Sequence, residues 1–186
     1  MYLLRHASAV FVPSADGSKG QSPDAPLSPE GLQQSDALVA PLMDLGITHI
    51  HSSPYARAIA TVAPFAKASG LNVVEDNQLR ERSRGQGPDE SYLGEVERLH
   101  MDPAASPWGG ESGADVAERG MAGIEAARLA GPVPLVSSHG QFLSVVLGRL
   151  GNECGYDGWK SMPNPGLYAV DDAGWWHVPL GIEART

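Results

Sequence analysis

Residues 133–150, VPLVSSHGQFLSVVLGRL, decide the fold class of this 186-residue chain. Most of them lie in the only long stretch of the sequence without Asp, Glu, Lys or Arg, between Arg128 and Arg149, which by its length resembles a membrane span. The first half of that stretch holds two prolines, two glycines, two serines and a histidine, which would break a helix. We therefore predict a buried strand over 133–137, a turn, and a helix over 140–150.

The same alternation of strands and helices runs along the rest of the chain. Short apolar runs predict strands, and apolar residues at helical spacing predict helices. Strands are predicted at 2–4, 47–51, 71–74 and 167–178, the last a hairpin turned at 171–174, and helices at 28–46, 53–68, about 93–101 and about 114–129. This pattern predicts a single domain over residues 1–186 with an α/β fold, a three-layer sandwich around a mostly parallel central sheet, in which the hairpin strands can be antiparallel.

Two of the predicted helices carry matching start and stop signals. Ser28 and Ser53 each stand directly before a proline, a combination typical of an N-cap and the first helical position. Gly46 and Gly70 are predicted to end these helices, because glycine adopts the left-handed conformation found just after many helices. Both serine hydroxyls are thus expected to cap the helix that follows them.

The charge balance limits the partners of the protein. Thirteen Lys and Arg against 22 Asp and Glu give a formal net charge of -9, with 42% hydrophobic and 19% charged residues. An acidic surface of this kind argues against a protein that coats nucleic acid or an anionic membrane. A small anionic ligand stays possible, because a few arginines can be concentrated in one pocket.

The cysteine content and the first residues bear on the cellular compartment. The single cysteine, Cys154, excludes an intrachain disulfide and fits a reducing compartment. No targeting segment is apparent, since the apolar start at 1–4 is interrupted by Arg5 and His6. We expect a soluble, cytoplasmic protein.

Polar side chains follow three of the predicted strands at the point where each strand ends. Arg5 and His6 follow the first strand, Arg57 comes shortly after the second, and His139 and Gly140 follow the strand at 133–137. Ligands of open α/β sheets bind at the carboxyl ends of the strands. Arginine presents a planar fork of donors that suits phosphate oxygens, and a helix that begins near Gly140 would add backbone N–H groups. The sequence therefore predicts an anion pocket that contains imidazole.

Four motifs resemble, in order and spacing, those of the histidine phosphatase superfamily, which includes cofactor-dependent phosphoglycerate mutases and bacterial phosphohistidine phosphatases. They are Leu3-Leu4-Arg5-His6, Ser52-Ser53-Pro54-Tyr55-Ala56-Arg57-Ala58-Ile59-Ala60-Thr61, Leu79-Arg80-Glu81 and Ser138-His139-Gly140. The resemblance covers most of the chain and implies a phosphoglycerate-mutase-like fold. One departure is Ala7, which stands where the family usually has glycine and keeps a small side chain.

The resemblance implies phosphoryl transfer through a covalent phosphohistidine, with neither metal nor cofactor. By position, His6 would be the nucleophile, and Arg5, Arg57 and His139 would hold the phosphoryl oxygens. Glu81 would donate a proton to the leaving oxygen and then act as the base for water. These residue types suit the reaction, because neutral imidazole is nucleophilic near pH 7 and arginines stabilise the charge spread over the phosphoryl oxygens.

Several neighbouring residues keep two interpretations. Ser8 could donate to a phosphate or cap a turn, and Gly140 could contribute its backbone N–H to substrate binding. Arg82 and Arg84 could extend the basic pocket or form a solvated face.

A pair of alternating histidines raises the question of metal binding. His49 and His51 fall on one face of the predicted strand at 47–51. Without a third ligand nearby, a partly buried face beside the active edge is the favoured interpretation.

The function predicted from the sequence is a phosphatase that acts on a phosphomonoester or a protein phosphohistidine. One alternative is a mutase, which must protect the phosphoenzyme from water and commonly does so with larger insertions than the segment between Glu81 and Val133. Another is a catalytically silent phosphate-binding module on the same fold. The expected partner is a small phosphorylated substrate or a phosphohistidine protein, with no nucleic acid or membrane; the oligomeric state stays open.

Overall fold

The computed structural model describes residues 1–15, 17, 20–86 and 92–182, and within them six strands form one sheet in the order β3-β2-β4-β1-β5-β6. The strands are β1 (Tyr2–Arg5), β2 (His49–Ser52), β3 (Val73–Glu75), β4 (Pro134–Ser138), β5 (Gly166–Asp171) and β6 (Gly174–Val178). The helices are α1 (Pro29–Ala37), α2 (Val39–Met43), α3 (Ala56–Ser69), α4 (Tyr92–Met101), α5 (Gly113–Ala130), α6 (Gly140–Arg149) and α7 (Gly155–Ser161).

The sheet is mostly parallel, as the sequence predicted. The neighbouring pairs β3-β2, β2-β4 and β4-β1 are parallel, whereas β1-β5 and β5-β6 are antiparallel. Leu3 on the central strand β1 is opposite Val136 on one side and Tyr168 on the other. The predicted hairpin is confirmed, with Asp171 opposite Gly174 at its turn.

Apolar side chains cover both faces of the sheet, because successive residues of a strand point to opposite sides. Leu3 belongs to the cluster under α5 and α6, and its neighbour Leu4 belongs to the cluster under α3. The side chains of Phe142 and Phe65 are among the largest in these two layers and are almost completely buried. The three-layer arrangement follows from these two cores.

The first predicted helix is two helices. Ser28 Oγ accepts the Gly31 N–H at 3.0 Å, which confirms this N-cap. The helix expected to run to Gly46 is instead broken at Leu38, where α1 ends and α2 begins, and α2 itself ends before Asp44.

The N-cap predicted for the helix after β2 is wrong. The helix α3 begins at Ala56, its N-cap residue is Tyr55, and no side chain caps it. Ser53 therefore stands two residues before the cap position, and its hydroxyl bonds elsewhere. At the other end Gly70 has φ 74°, so the predicted left-handed C-cap is confirmed.

Other segments match the sequence less evenly. The helix expected near 93–101 is present as α4, whereas α7 was not predicted. The long loop after β1 is held by isolated bridges between Ala9 and Leu27 and between Pro13 and Gln21. In the part of the chain described, no helix combines the length and apolar character needed to cross a membrane.

Candidate active site

A cavity of about 740 Å³ opens where β1, β2 and β4 end. Six of the residues predicted for the site line it, namely Arg5, His6, Ser8, Arg57, Glu81 and Gly140. The seventh, His139, is fully buried behind the cavity wall. The strand ends thus bring together motifs that lie up to about 135 residues apart, as the position of the carboxyl ends in a parallel sheet requires.

The imidazole of His6 is held in one tautomer by its two hydrogen bonds. Its Nδ1 lies 2.7 Å from the Ala7 carbonyl oxygen, which can only accept, so Nδ1 carries the proton. Its Nε2 accepts from Arg57 Nε at 3.2 Å, so the lone pair is on Nε2. The ring therefore presents its nucleophilic nitrogen beside a guanidinium group.

The electrostatic surroundings keep this ring neutral. Burial, followed by the positive charges of Arg57 and Arg5, lowers the pKa of His6 from 6.5 to about 3, although the bond to Ala7 opposes the shift. At neutral pH the lone pair on Nε2 is therefore available for attack.

Arg57 is a buried cation and Arg5 a partly buried one, and in the described structure both bond to neutral groups. Arg57 is 2% exposed and donates through Nη1 to the Ser22 carbonyl oxygen at 3.0 Å. Arg5 donates through Nη1 to the Met162 carbonyl oxygen, and its buried Nε has no partner. Burial lowers the pKa of both guanidinium groups. Within the described residues neither arginine forms an ion pair, so both charges are available to an anionic ligand.

His139 packs against the site from inside the core. Its ring lies 5.2 Å from the ring of His6 and 5.0 Å from that of Tyr55, centroid to centroid. Its Nε2 is 2.8 Å from Ser53 Oγ, and its buried Nδ1 has no partner in the described structure. Burial, and then the nearby charge of Arg57, holds the pKa of His139 well below 6.5, so this ring is also neutral.

The Glu81 carboxylate accepts three backbone N–H groups. Its Oε1 accepts from Arg82 at 3.0 Å and from Phe142 at 2.8 Å, and its Oε2 accepts from Gln141 at 3.2 Å. Glu81 therefore caps α6, whose own N-cap residue His139 forms no side-chain cap. The N–H groups of Gln141 and Phe142, which the sequence suggested for a ligand anion, are engaged by this carboxylate.

Gly140 has a steric role that the sequence did not reveal. A Cβ atom at this position would lie 3.1 to 3.2 Å from three atoms of the Arg5 guanidinium group. Glycine therefore leaves room for Arg5 to pass the first turn of α6. Ser8 lines the cavity, and its backbone N–H donates to Gln34 Oε1 at 2.9 Å.

Arg82 and Arg84 line the cavity but are not a solvated face. The Arg82 side chain is fully buried, and its Nη1 lies 2.8 Å from Glu95 Oε1. Arg84 pairs with the other oxygen of Glu95, and its guanidinium carbon lies 4.5 Å from the ring centre of Tyr92. The two bonds and the surrounding arginine charges outweigh burial and lower the pKa of Glu95. One buried carboxylate thus braces both arginines.

Asn164 and Tyr55 also line the site, and the sequence analysis did not identify them. Asn164 Nδ2 donates to the His6 carbonyl oxygen at 2.7 Å and so supports the nucleophile from a segment 158 residues away. The guanidinium carbon of Arg57 lies 5.1 Å from the ring centre of Tyr55. Tyr55 lies inside the second motif, which could have indicated it, whereas Asn164 lies outside all four motifs.

The histidine pair on β2 is a partly buried structural contact, in which His51 is buried and His49 is half-buried. His49 Nε2 lies 2.7 Å from the Ala127 carbonyl oxygen, and the rings of His49 and His51 are 5.6 Å apart. Across the described ranges, no three His, Cys, Asp or Glu side chains come together in a group that could hold a metal ion.

Comparison with known proteins agrees with this fold. A profile of the histidine phosphatase superfamily (branch 1) matches residues 1–171. The chain belongs to the histidine phosphatase superfamily.

Among curated proteins, it is 34% identical over 160 residues to the probable phosphoglycerate mutase GpmB of Yersinia enterocolitica, covering 81% of this chain and 74% of that protein. The corresponding protein of Yersinia pestis is 32% identical over the same shares.

Solved structures share the fold at lower identity. A mycobacterial glucosyl-3-phosphoglycerate phosphatase superposes with a TM-score of 0.74 at 22% identity, over 95% of each chain. YhfR of Bacillus stearothermophilus superposes with a TM-score of 0.70 at 20% identity, over 98% of each chain.

Proposed function

We propose that the protein is a metal-independent phosphatase that hydrolyses a phosphomonoester or a phosphohistidine through a covalent phosphohistidine on His6. The observation that carries this proposal is the fixed tautomer of His6, which has its proton on Nδ1 and its lone pair on Nε2. Arg57 donates to that lone pair, the charge of Arg5 also acts on the ring, and neither arginine has an ion pair among the described residues. A neutral imidazole nucleophile close to two guanidinium groups suits attack on a phosphoryl group.

The first half of the reaction transfers the phosphoryl group to the enzyme. The phosphoryl oxygens replace His6 as the partner of Arg57 Nε, and Arg5 Nε supplies a further donor. The Nε2 lone pair forms a bond to phosphorus as the bond from phosphorus to the leaving oxygen breaks. Glu81 enters this step in its protonated form and its proton passes to that oxygen, so the alcohol leaves and Glu81 becomes a carboxylate.

The second half returns the enzyme to its starting state. Water attacks phosphorus, the bond from phosphorus to Nε2 breaks, and Glu81 takes the proton that water loses. Its Oε2 suits this step, because it accepts one backbone bond whereas Oε1 accepts two. Inorganic phosphate then leaves and restores the bond between Arg57 and His6.

Hydrolysis is favoured over a mutase reaction by the access of water to the cavity. Phe11 and Tyr92 line the cavity and are 70% and 43% exposed. A mutase must keep water away from its phosphohistidine until the phosphoryl group is returned to the substrate. The mutase is the alternative to be tested, because the two Yersinia relatives are named probable phosphoglycerate mutases.

The test is turnover of p-nitrophenyl phosphate with EDTA present, together with a search for an acid-labile, base-stable label on His6. We expect hydrolysis, a label in the wild type, and neither in His6→Ala. If the wild type shows neither hydrolysis nor a label, the protein is a catalytically silent phosphate-binding module. Phosphoryl exchange on 3-phosphoglycerate that outpaces release of phosphate would establish a mutase instead.

The role of Glu81 is tested by the leaving group. Glu81→Gln should slow hydrolysis of alkyl phosphates about a hundredfold more than that of aryl phosphates, because an alkoxide needs the proton and a phenolate does not. The ratio of the alkyl to the aryl rate within one variant is independent of damage caused by losing the α6 cap, because that damage affects both substrates. An equal loss on both ester types would exclude Glu81 as the acid.

A further inference from the structure

Ser53 lies in the second of the four motifs, and its hydroxyl does not cap a helix. The residue is fully buried, and its Oγ accepts the Tyr55 N–H at 3.3 Å. The remaining contact of the hydroxyl is Nε2 of His139 at 2.8 Å. Its single proton can therefore be donated to that nitrogen.

Counting donors and acceptors decides between the two neutral tautomers of His139. If the proton is on Nδ1, Ser53 donates to the bare Nε2, and only the Nδ1–H group lacks a partner. If the proton is on Nε2, the Ser53 hydroxyl proton and the Nδ1 lone pair both lack partners. Each buried polar group without a partner is costly, so the first tautomer is favoured.

We propose that Ser53 is a positioning residue that fixes His139 as the Nδ1–H tautomer, so that the unpartnered Nδ1–H donates to a phosphoryl oxygen of the ligand. The ring packs against that of His6 at 5.2 Å, centroid to centroid, and no described residue pairs with its buried Nδ1, which leaves this N–H for a ligand held at His6. Without Ser53 the ring can present a bare nitrogen, which repels a phosphoryl oxygen. The proposal rests on the proposed function for the identity of the ligand.

The direct test is the ¹⁵N spectrum of the histidine rings, with the His139 signals assigned by their loss in His139→Gln. We expect His139 in the wild type to carry its proton on Nδ1, and the signal to change when inorganic phosphate is added. Ser53→Ala should shift the ring partly or wholly to the Nε2–H form. A wild-type ring in the Nε2–H form overturns the proposal, whatever the variants do.

Phosphate affinity provides the second readout. Ser53→Ala should weaken binding of inorganic phosphate tenfold or more, about the value of one hydrogen bond to a charged group. Ser53→Thr, which keeps the hydroxyl, should restore most of it. The control is Ser137→Ala, because Ser137 is equally buried and donates to the Ala58 carbonyl oxygen at 2.9 Å. Unchanged phosphate affinity and tautomer in folded Ser53→Ala refute the proposal.

These outcomes separate the proposal from the proposed function. Neither the ring spectrum nor phosphate binding requires turnover. A wild type that binds phosphate in the predicted tautomer but forms no label on His6 would refute the phosphatase and support the role of Ser53. An active wild type whose Ser53→Ala variant has the same phosphate affinity and the same His139 tautomer would support the phosphatase and refute the role of Ser53. Should Ser53→Ala not fold, Ser53→Cys, a weaker donor of similar size, takes its place.

Discussion

Two groups of arginines around the cavity differ in how their charge is balanced. The phosphoryl arginines, Arg5 and Arg57, bond to backbone carbonyl oxygens and to imidazole. The ion-paired arginines bond to Glu95 or Glu111, and they are Arg80, Arg82, Arg84 and Arg119. Glu81 lines the same cavity as the first group and acts on both of its charges, but in the part of the chain described it forms no ion pair with either arginine. The guanidinium groups of Arg5 and Arg57 are therefore without a bonded acidic partner where a phosphoryl group would bind.

The ion-paired group has a different task, which is to hold the segment that carries Glu81. Arg119 contacts both oxygens of Glu111 at 2.7 and 3.0 Å and donates to the carbonyl oxygens of Gln78 and Arg80. These contacts fasten the segment before Glu81 to α5. The comparison separates arginines for chemistry from arginines for structure, and each can be tested by its own measurement.

The largest effect is expected for Arg57→Ala. Its loss removes the guanidinium beside the nucleophile, so kcat/KM should fall about a thousandfold or more, which corresponds to about 4 kcal/mol. The free energy of unfolding should change much less, since a buried cation without an ion pair stabilises the fold little. Steady-state kinetics and urea unfolding measure the two effects. A kcat/KM within tenfold of wild type would remove Arg57 from the phosphoryl group.

Arg82→Ala should show the opposite pattern. It leaves the carboxylate of Glu95, 2% exposed, without one of the two arginines that pair with it in the described structure, so the free energy of unfolding should fall by about 3 kcal/mol. The kcat/KM of the folded fraction should stay within tenfold of wild type. A double-mutant cycle with Glu95→Gln checks the cause, because the two losses must be less than additive. A stable variant with a large kinetic defect would place Arg82 on the substrate.

The difference between the groups shows what the sequence could predict. The apolar strands and the polar residues at their ends predicted the sheet and the position of Arg5, His6 and Arg57, because both depend on local pattern. The pairing of Arg82 with Glu95, 13 residues later, was not predictable, since it depends on how α4 packs back against the segment before it. The cap that Glu81 provides for α6 spans 60 residues for the same reason.

Local signals also misled where tertiary contacts compete with them. The Ser-Pro signal predicted an N-cap at Ser53, but His139 offers the hydroxyl a buried partner, and α3 begins later. The helix α7 was missed because its seven residues include Gly155 and Gly158, which disfavour helices. Its stability comes from packing, with Trp159 buried.

The site around His6 and the ion pairs of the second group should affect the free energy of unfolding in different pH ranges. The lowered pKa of His6 means that the folded protein binds fewer protons than the unfolded chain between pH 6.5 and about 3. The free energy of unfolding should therefore fall with decreasing pH, by up to about 1.4 kcal/mol per pH unit for each such histidine. The lowered pKa of Glu95 and Glu111 stabilises the fold above about 4.5, and this stability is lost at lower pH.

Urea unfolding at pH 7, 5.5 and 4 measures this separation. His6→Asn should flatten the dependence between pH 7 and 5.5, and Glu95→Gln should flatten it below pH 4.5. If His6→Asn leaves the upper slope unchanged, the low pKa of His6 is wrong.

The smallest effect is expected for Arg80→Gln, which sharpens the boundary between the two groups. Arg80 precedes Glu81 and pairs with Glu111, yet its side chain is 26% exposed, so water screens the pair. Glu111 also keeps its two contacts with Arg119 after the change. The free energy of unfolding should fall by less than about 1 kcal/mol, and kcat/KM should change less than threefold. A kinetic loss near that of Arg57→Ala would mean that nearness to the site, and not the absence of an acidic partner, selects the arginines that act on the phosphoryl group.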